Sequence, residues 1–331
     1  MKTVAVTGHA GYIGRVLVAR LLERGYDVIA IDRKYIDRDK TWNSPNDMAS
    51  YCGDFCNDGA FLSHLLRAHY AGDLVGVVHL AADSLLGPSV SDPLPYFMNN
   101  VGSSTRFLDW LRRGSINTNF IFASSAATYG DLQHDFPILT HEAGNPINPY
   151  GWSKLQFEQV LTQASKAHGL RSTCFRFFNV VGGYGNLGQP IDQPHILTSI
   201  IRASVNNEPF VLNGGGYPTY DGTPVRDYIH VLDVCSAIIC RLEGSDEYYP
   251  KLGFYNLCTG IGTSNLELVE AFKDLINPNL KVEIGPDRPG DPAYLIGDRW
   301  DFFPWGPTSY SSRRNIIASA YEAYIAQSKG T

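Results

Sequence analysis

Hydrophobic positions along the chain fall into short runs that alternate with stretches of helical spacing, and the first such unit sets the frame. Val4, Ala5 and Val6 make a brief apolar strand, and Gly8, Gly11 and Gly14 follow at three-residue intervals. Val16, Leu17, Leu21 and Leu22 then share a helix face, Gly25 ends that helix, and Val28 to Ile31 form a second strand closed by Asp32. A tight glycine turn running into a helix N-terminus is a seat for a pyrophosphate, because the first helical amides lack internal partners and the helix dipole favours an anion. A carboxylate ending the second strand accepts hydrogen bonds from an adenosine ribose and repels a 2′-phosphate. The pattern therefore points to NAD rather than NADP, with Asp32 expected to outweigh the neighbouring Arg33.

The alternation continues. Residues 33–50 read as a polar loop, and a third strand is expected at Cys52 to Phe55. Asp54 at its end could reach an adenine amino group or simply cap a turn. Phe61, Leu62, Leu65 and Leu66 mark a helix, and Leu74 to Leu80 a fourth strand in which His79 is expected to pack. Ala81 and Ala82 are small where the chain would pass the cofactor. The run from Pro93 to Leu111 reads as helical, with Asn99 and Asn100 set among apolar neighbours. Buried amides need partners, and Asn100 is expected to tie down a loop under the nicotinamide. Asn119 to Ser125 is the next strand, Tyr150 sits at the start of a helix through Leu161, and Arg171 to Phe178 is a further strand ending at Asn179. This order predicts an α/β fold with a doubly wound, mostly parallel sheet. Beyond it, residues 182–224 are rich in Gly, Pro and Asn around one helix, Ile196 to Ala203. Helices near Cys235 to Leu242, from Asn265 to Leu275 and from Arg314 to Ile325 follow, with a strand at Phe254 to Leu257 and an aromatic tail at 300–310.

Composition narrows the function classes. The 331 residues carry a net charge of −6 with no basic block, which argues against nucleic acid or a membrane surface as partner. No apolar run approaches the ~18 residues of a membrane span. The first strand begins at Thr3 and leaves no room for a signal peptide, so a cytoplasmic protein is expected. The six cysteines show no metal-type spacing and are expected to be reduced core thiols, with no metal bound.

Tyr150 and Lys154 are four residues apart and so share a helix face. An ammonium beside a phenol stabilises the phenolate, which makes the tyrosine a usable base near neutral pH. Ser125, at a strand end, could hold the same substrate hydroxyl.

These pieces together resemble the UDP-glucose 4-epimerase family of extended short-chain dehydrogenases/reductases. The resemblance rests on G-H-A-G-Y-I-G at 8–14, H-L-A-A at 79–82, N-N-V at 99–101, S-S-A-A-T-Y-G at 124–130 and N-P-Y-G-W-S-K at 148–154. It continues with R-F-F-N-V-V-G at 176–182, D-G-T-P-V-R-D-Y-I-H-V-L-D-V at 221–234, Y-N-L-C-T-G at 255–260 and R-P-G-D at 288–291. It implies a Rossmann domain at 1–180, with further strands and helices returning from about 225–260, and a smaller, interleaved nucleotide-sugar domain mainly at 181–331. It implies a tightly bound, recycled NAD held by Gly8, Gly11, Tyr12, Ile13, Gly14, Asp32, Asp54, Phe55, Leu80, Ala81, Ala82, Asn99, Ser124, Tyr150, Lys154 and Phe178. A UDP-sugar is expected at Ser84, Ser125, Tyr150, Asn179, His195, Ile196, Arg226, Arg288, Asp291 and Leu295.

In the implied reaction, UDP-glucose and UDP-galactose interconvert by transient oxidation at sugar C4, with Ser125, Tyr150 and Lys154 as the catalytic set. Arg226 and Arg288 are expected to hold the diphosphate, although Arg226 could instead form an ion pair with Asp227. Leu295, or Tyr294 beside it, falls at the family's gate for N-acetyl groups, and Ser84, Val180 and Val181 depart from the usual pattern. Epimerases of N-acetylhexosamine, pentose or uronate nucleotides remain as alternatives, as does, with less support, a non-catalytic nucleotide-sugar-binding regulator. A dehydratase is disfavoured, because Ala126 and Ala127 stand where its acid pair would be. The family resemblance also implies a homodimer packed through helices 94–113 and 150–168, where Leu108, Leu111, Phe157 and Leu161 could serve either that interface or the sheet.

Overall fold

The computed structural model describes residues 2–36, 48–132, 137–244, 250–288, 291–299 and 309–329. A seven-stranded sheet is built from β1 (Thr3–Thr7), β2 (Asp27–Asp32), β3 (Met48–Cys52), β4 (Leu74–His79), β5 (Asn119–Ser125), β6 (Ser172–Phe177) and β12 (Leu252–Leu257). Its order is β12-β6-β5-β4-β1-β2-β3, and the pairings from β3 through β5 are parallel. The strand order reverses beside β1, the place where open α/β sheets take up ligands outside the carboxyl ends of their strands. The third strand starts at Met48, earlier than expected, because Met48 pairs with Val28 and buries its side chain, and Asp54 and Phe55 therefore lie beyond it in a turn. Most of the loop expected at 33–50, and most of the aromatic tail at 300–310, lie outside the described residues.

Contacts divide the chain into two interleaved units. The first comprises Met1–Thr128, Gly144–Arg176 and Cys235–Tyr255, and the second Tyr129–Ala143, Phe177–Val234 and Asn256–Thr331. Where the sequence suggested a division near 180, residues 129–143 group with the second unit. Tyr129 donates to Asn256 at 2.6 Å, and the Ile138 amide donates to Ile296 O at 2.8 Å.

The first unit packs α1 (Tyr12–Glu23), α2 (Gly59–Tyr70), α3 (Leu86–Ser91), α4 (Leu94–Tyr96), α5 (Ser104–Arg113) and α6 (Pro149–His168) with the sheet. Between α4 and α5 the chain runs as a π-helix, Phe97–Ser103, a departure from regular helix that often marks functional sites. Leu108, Leu111, Phe157 and Leu161 are buried in the core cluster with Phe107, Phe120 and Phe122, so they serve the sheet. α6 begins sharply because Asn148 caps the Gly151 amide at 2.8 Å and Pro149 is pre-set for the first turn. A side chain at Gly151 would collide with the Ala127 carbonyl, so glycine is what lets α6 approach the end of β5.

The second unit has a small sheet of β7 (Asn179–Val181), β11 (Val225–His230), β13 (Gly262–Ser264) and β15 (Tyr294–Leu295), an antiparallel pair β8 (Gly183–Tyr184) and β9 (Leu187–Gly188), and a parallel pair β10 (Phe210–Asn213) and β14 (Val282–Gly285). Its core gathers Leu197, Ile200, Ile201, Phe210, Phe272 and Ile317 from those strands and from α7 (Ile196–Asn206), α9 (Asn265–Leu275) and α10 (Arg313–Lys329). α8 (Val231–Glu243) carries the chain from β11 back toward β12. Among the described residues, no helix is long and apolar enough to cross a membrane.

Candidate active site

At the carboxyl end of β1 the backbone turns at Gly8, whose φ of +78° is strained for any side chain. A Cβ there would lie 2.6 Å from the Ala81 amide, so glycine alone permits this close passage beside the end of β4. Gly14, in the first turn of α1, is packed against the Gly8 carbonyl. Gly11 precedes α1, and no side chain caps the helix there. Asp32 accepts from the Ala10 amide at 3.1 Å and from the Lys34 amide at 3.0 Å, which ties the glycine turn to the end of β2. An uncapped helix N-terminus, a turn only glycine can make and an acid beside it fit a dinucleotide pyrophosphate and ribose.

Several expected cofactor residues have side chains committed elsewhere. Asp54 accepts from the Cys56 amide at 3.1 Å, which is the turn-capping alternative. The Phe55 ring is buried against His79 and Phe107. Ser124 donates to Glu158 at 2.6 Å. In the second unit, Phe178 is buried with its ring 6.4 Å from that of Tyr129. Tyr12 and Ile13 open α1 half-buried, as are Leu80, Ala81 and Ala82, whereas Ser84 is exposed.

His79 does more than pack. Its ring bridges Thr7 at 2.7 Å and Ser104 at 2.9 Å inside an aromatic cage, and burial followed by the nearby Lys154 charge lowers its pKa to about 3. The two buried asparagines hold the loop after β4. Asn100 accepts from the Asp83 amide and donates to the Asp83 carbonyl, both at 2.9 Å, and it also donates to Ser153 at 2.9 Å. Asn99 donates to the Asp83 carboxylate at 2.9 Å.

Tyr150 and Lys154 stand one turn apart on α6. Lys154 Nζ lies 5.8 Å from the Tyr150 ring centroid, 4.8 Å from that of Phe122, and donates to the Ala123 carbonyl at 2.7 Å. Ser125 Oγ accepts from the Ala127 amide at 3.1 Å and lies beside the Tyr150 phenol. The electrostatics differ from the expectation that Lys154 draws the phenol down. Burial pushes the Tyr150 pKa up, the Ser125 hydrogen bond opposes that rise, and Tyr96 adds to it. Lys154 itself is brought down to about 7 by burial, against the raising effect of Glu158 and Asp83. Glu158, one further turn along α6, also receives Arg176 Nε at 2.9 Å and Nη2 at 2.7 Å. The sequence reading missed Glu158 although its spacing continues the series 150, 154, 158; it missed Arg176 because nothing local signals that pair.

In the second unit, a cavity of about 300 Å³ is lined by Ile196, Ser199, Arg202, Phe210, Asn213, Arg288 and Asp291, among others. Ile196, Arg288 and Asp291 were expected at the substrate; the β10 residues and Arg202 lack any local motif. Arg226 does not pair with Asp227. Its Nη2 donates to Asp291 at 2.5 Å and to Pro292 O at 2.7 Å, while Asp227 accepts from the Thr259 amide and hydroxyl at 2.7 Å and from the Gly260 amide at 2.8 Å. Arg288 Nε and Nη2 lie 3.1 and 2.9 Å from the Asn213 side-chain oxygen in the amide orientation that satisfies both groups. Leu295 pairs with Arg226 and Tyr294 with Val225, so register puts Leu295 on the face of Arg226. Asn179 pairs with Tyr228 in the same sheet, and His195 precedes α7 as an exposed cap residue.

All six cysteines are free thiols; Cys174, Cys235 and Cys258 are buried, whereas Cys52 is exposed rather than in the core. Among the described residues no group of three or more His, Cys, Asp and Glu gathers as a metal site.

A profile of the NAD dependent epimerase/dehydratase family matches residues 4–257. The UDP-glucose 4-epimerase of Corynebacterium glutamicum is 38% identical over 321 residues, which is 96% of this chain and 94% of that protein. Of solved structures, UDP-glucose 4-epimerase from Brucella ovis in complex with NAD aligns over 98% of both chains at 33% identity and a TM-score of 0.85. The Bifidobacterium longum enzyme, in complex with NAD+ and UDP, aligns over the whole of both chains, 100% of each, at 29% identity and a TM-score of 0.87.

Proposed function

The chain belongs to the UDP-glucose 4-epimerase family, and on that premise we propose that it interconverts UDP-glucose and UDP-galactose by transient oxidation at sugar C4 and re-reduction on the opposite face. The observation that carries the reading is Tyr150 with Lys154 one turn further along α6, its Nζ 5.8 Å from the phenol ring centroid, and Ser125 beside that phenol. The Gly8–Gly14 turn and Asp32 would hold NAD, which would supply the hydride acceptor. Tyr150 takes the C4 hydroxyl proton as hydride leaves C4, and Ser125 hydrogen-bonds the same oxygen. Lys154 stands one turn along α6 from that phenol and is placed to hold the nicotinamide ribose beside it. Return of the proton and the hydride on the other face would give the epimer with no net redox change, so a bound NAD would need no exchange between turnovers.

Arg226 and Arg288 suit diphosphate oxygens, and the cavity between α7 and β10 suits the uridine end. Ala126 and Ala127 offer methyl groups and no acid for expelling water. A second copy would pair through the groove of about 960 Å³ along α5 and α6, lined by Val101, Thr105, Gln156, Val160 and Ala164. Incubation without added NAD, separately with UDP-glucose, UDP-galactose, their N-acetyl forms, UDP-xylose and UDP-glucuronate, followed by chromatography, tests the reading. Interconversion of UDP-glucose and UDP-galactose is expected; turnover confined to another pair would assign a different substrate, and no turnover of any would contradict the epimerase reading.

A further inference from the structure

Of the two arginines that suit the diphosphate, Arg288 is the exposed one, and the acids beside it in sequence are engaged elsewhere. Asp287 accepts from the Gly216 amide at 3.3 Å, and Asp291 accepts from Arg226. A long exposed side chain samples many rotamers, and fixing it when a ligand arrives costs affinity. Here it is fixed beforehand. In the orientation that satisfies both groups, the Asn213 side-chain oxygen accepts from Arg288 Nε at 3.1 Å and from Nη2 at 2.9 Å. The Arg288 backbone is held as well: the Tyr217 hydroxyl donates to its carbonyl at 3.2 Å and accepts from its amide at 3.1 Å. Asn213 ends β10 and pairs with Gly285 of β14. A Cβ at Gly285 would lie 3.1 Å from the Asn213 side-chain amide, so glycine there leaves that amide its place.

We propose that Asn213 is a positioning residue of the diphosphate site: its amide oxygen grips the Nε edge of Arg288 and presets the guanidinium for the diphosphate of the nucleotide sugar. A neutral acceptor orients the cation without cancelling its charge, as a carboxylate in the same place would. The bond uses Nε and Nη2, so the Nη1 side of the fork is the one that meets phosphate oxygens. The inference rests on the reading of Arg288 as a diphosphate ligand. It differs from the other role open to Asn213, which also lines the cavity assigned to the uridine end, namely direct contact with the base.

The test is calorimetric titration of the full-length holoenzyme with UDP and, separately, with uridine, in N213A, N213D, R288A and the N213A/R288A double variant. R288A is expected to weaken UDP about tenfold and N213A about fivefold, with the double variant no weaker than R288A, because Asn213 acts through Arg288. N213D keeps an acceptor but adds a negative charge, and it should weaken UDP more than N213A does. Uridine affinity is expected to be unchanged in N213A. A loss in N213A that adds to that of R288A, or that is equal for uridine and UDP, would assign Asn213 to the base or to the frame and overturn the proposal. Unchanged UDP binding in N213A, with R288A weakened, overturns the proposal alone. Unchanged binding in R288A overturns it together with the diphosphate reading of Arg288.

Discussion

Each unit sets an arginine against a carboxylate, and the two pairs differ in one respect. In the first unit Arg176 and Glu158 are sealed, with side chains 9% and 3% exposed. In the second, Arg226 is 7% exposed but its partner Asp291 is 28% exposed. A sealed pair with a third donor, Ser124, is a fixed part of the frame that carries Tyr150 and Lys154. A pair with one open member lets its arginine exchange a carboxylate for another anion, and Arg288 nearby in sequence is exposed, held by Asn213 at the end of β10 and by Tyr217. Permanent charges support the proton chemistry, whereas exchangeable ones suit a ligand that must come and go.

The largest effect should follow from Tyr150→Phe, which removes the proposed proton acceptor from the sealed side. A fall in kcat of roughly 10²–10⁴-fold is expected, with UDP affinity by calorimetry unchanged. Next, Glu158→Gln leaves Arg176 buried without a full counter-charge and should cost about 3–5 kcal/mol in denaturant unfolding. Replacing both members by Leu and Met should cost far less. Asp291→Asn, its counterpart in the open pair, should cost no more than about 1 kcal/mol. Equal costs for Glu158→Gln and Asp291→Asn would break the comparison.

The sealed side also carries a pH signature. His79 is neutral in the fold, with a pKa lowered from 6.5 to about 3, so its contribution is complete above pH 6.5 and is lost as pH falls toward 3. By pH 4.5 this amounts to on the order of 2–3 kcal/mol. The acid slope of unfolding stability should therefore be shallower in His79→Gln than in the parent chain. The smallest effect is expected for Arg288→Ala, a rise of about tenfold in KM for the UDP-sugar with kcat little changed.

Much of this was legible in the sequence because it is local. The turn from Gly8 to Gly14, Asp32 at the end of β2, and Tyr150 with Lys154 on one helix each declare themselves within a few dozen residues. Asn100 could be read as a loop tie because a buried amide demands partners, and it has four such bonds. What escaped depends on distant segments. The Arg176–Glu158 pair, the Thr7–His79–Ser104 bridge and the exchange of Asp227 for Asp291 as the partner of Arg226 join positions far apart in the chain. The sign at Tyr150 escaped for another reason: spacing shows that a lysine is near, while burial, which raises the phenol's pKa, is visible only in the fold.

The central claim is that one bound NAD takes a hydride from sugar C4 and returns it to the same carbon. The most direct measurement follows UDP-glucose deuterated at C4, incubated with the protein in ordinary water and an excess of unlabelled NADH, with mass spectrometry of the UDP-galactose formed. Full retention of deuterium at C4 is predicted. Loss of the label to the NADH pool or to solvent would contradict a recycled cofactor and the mechanism built on it.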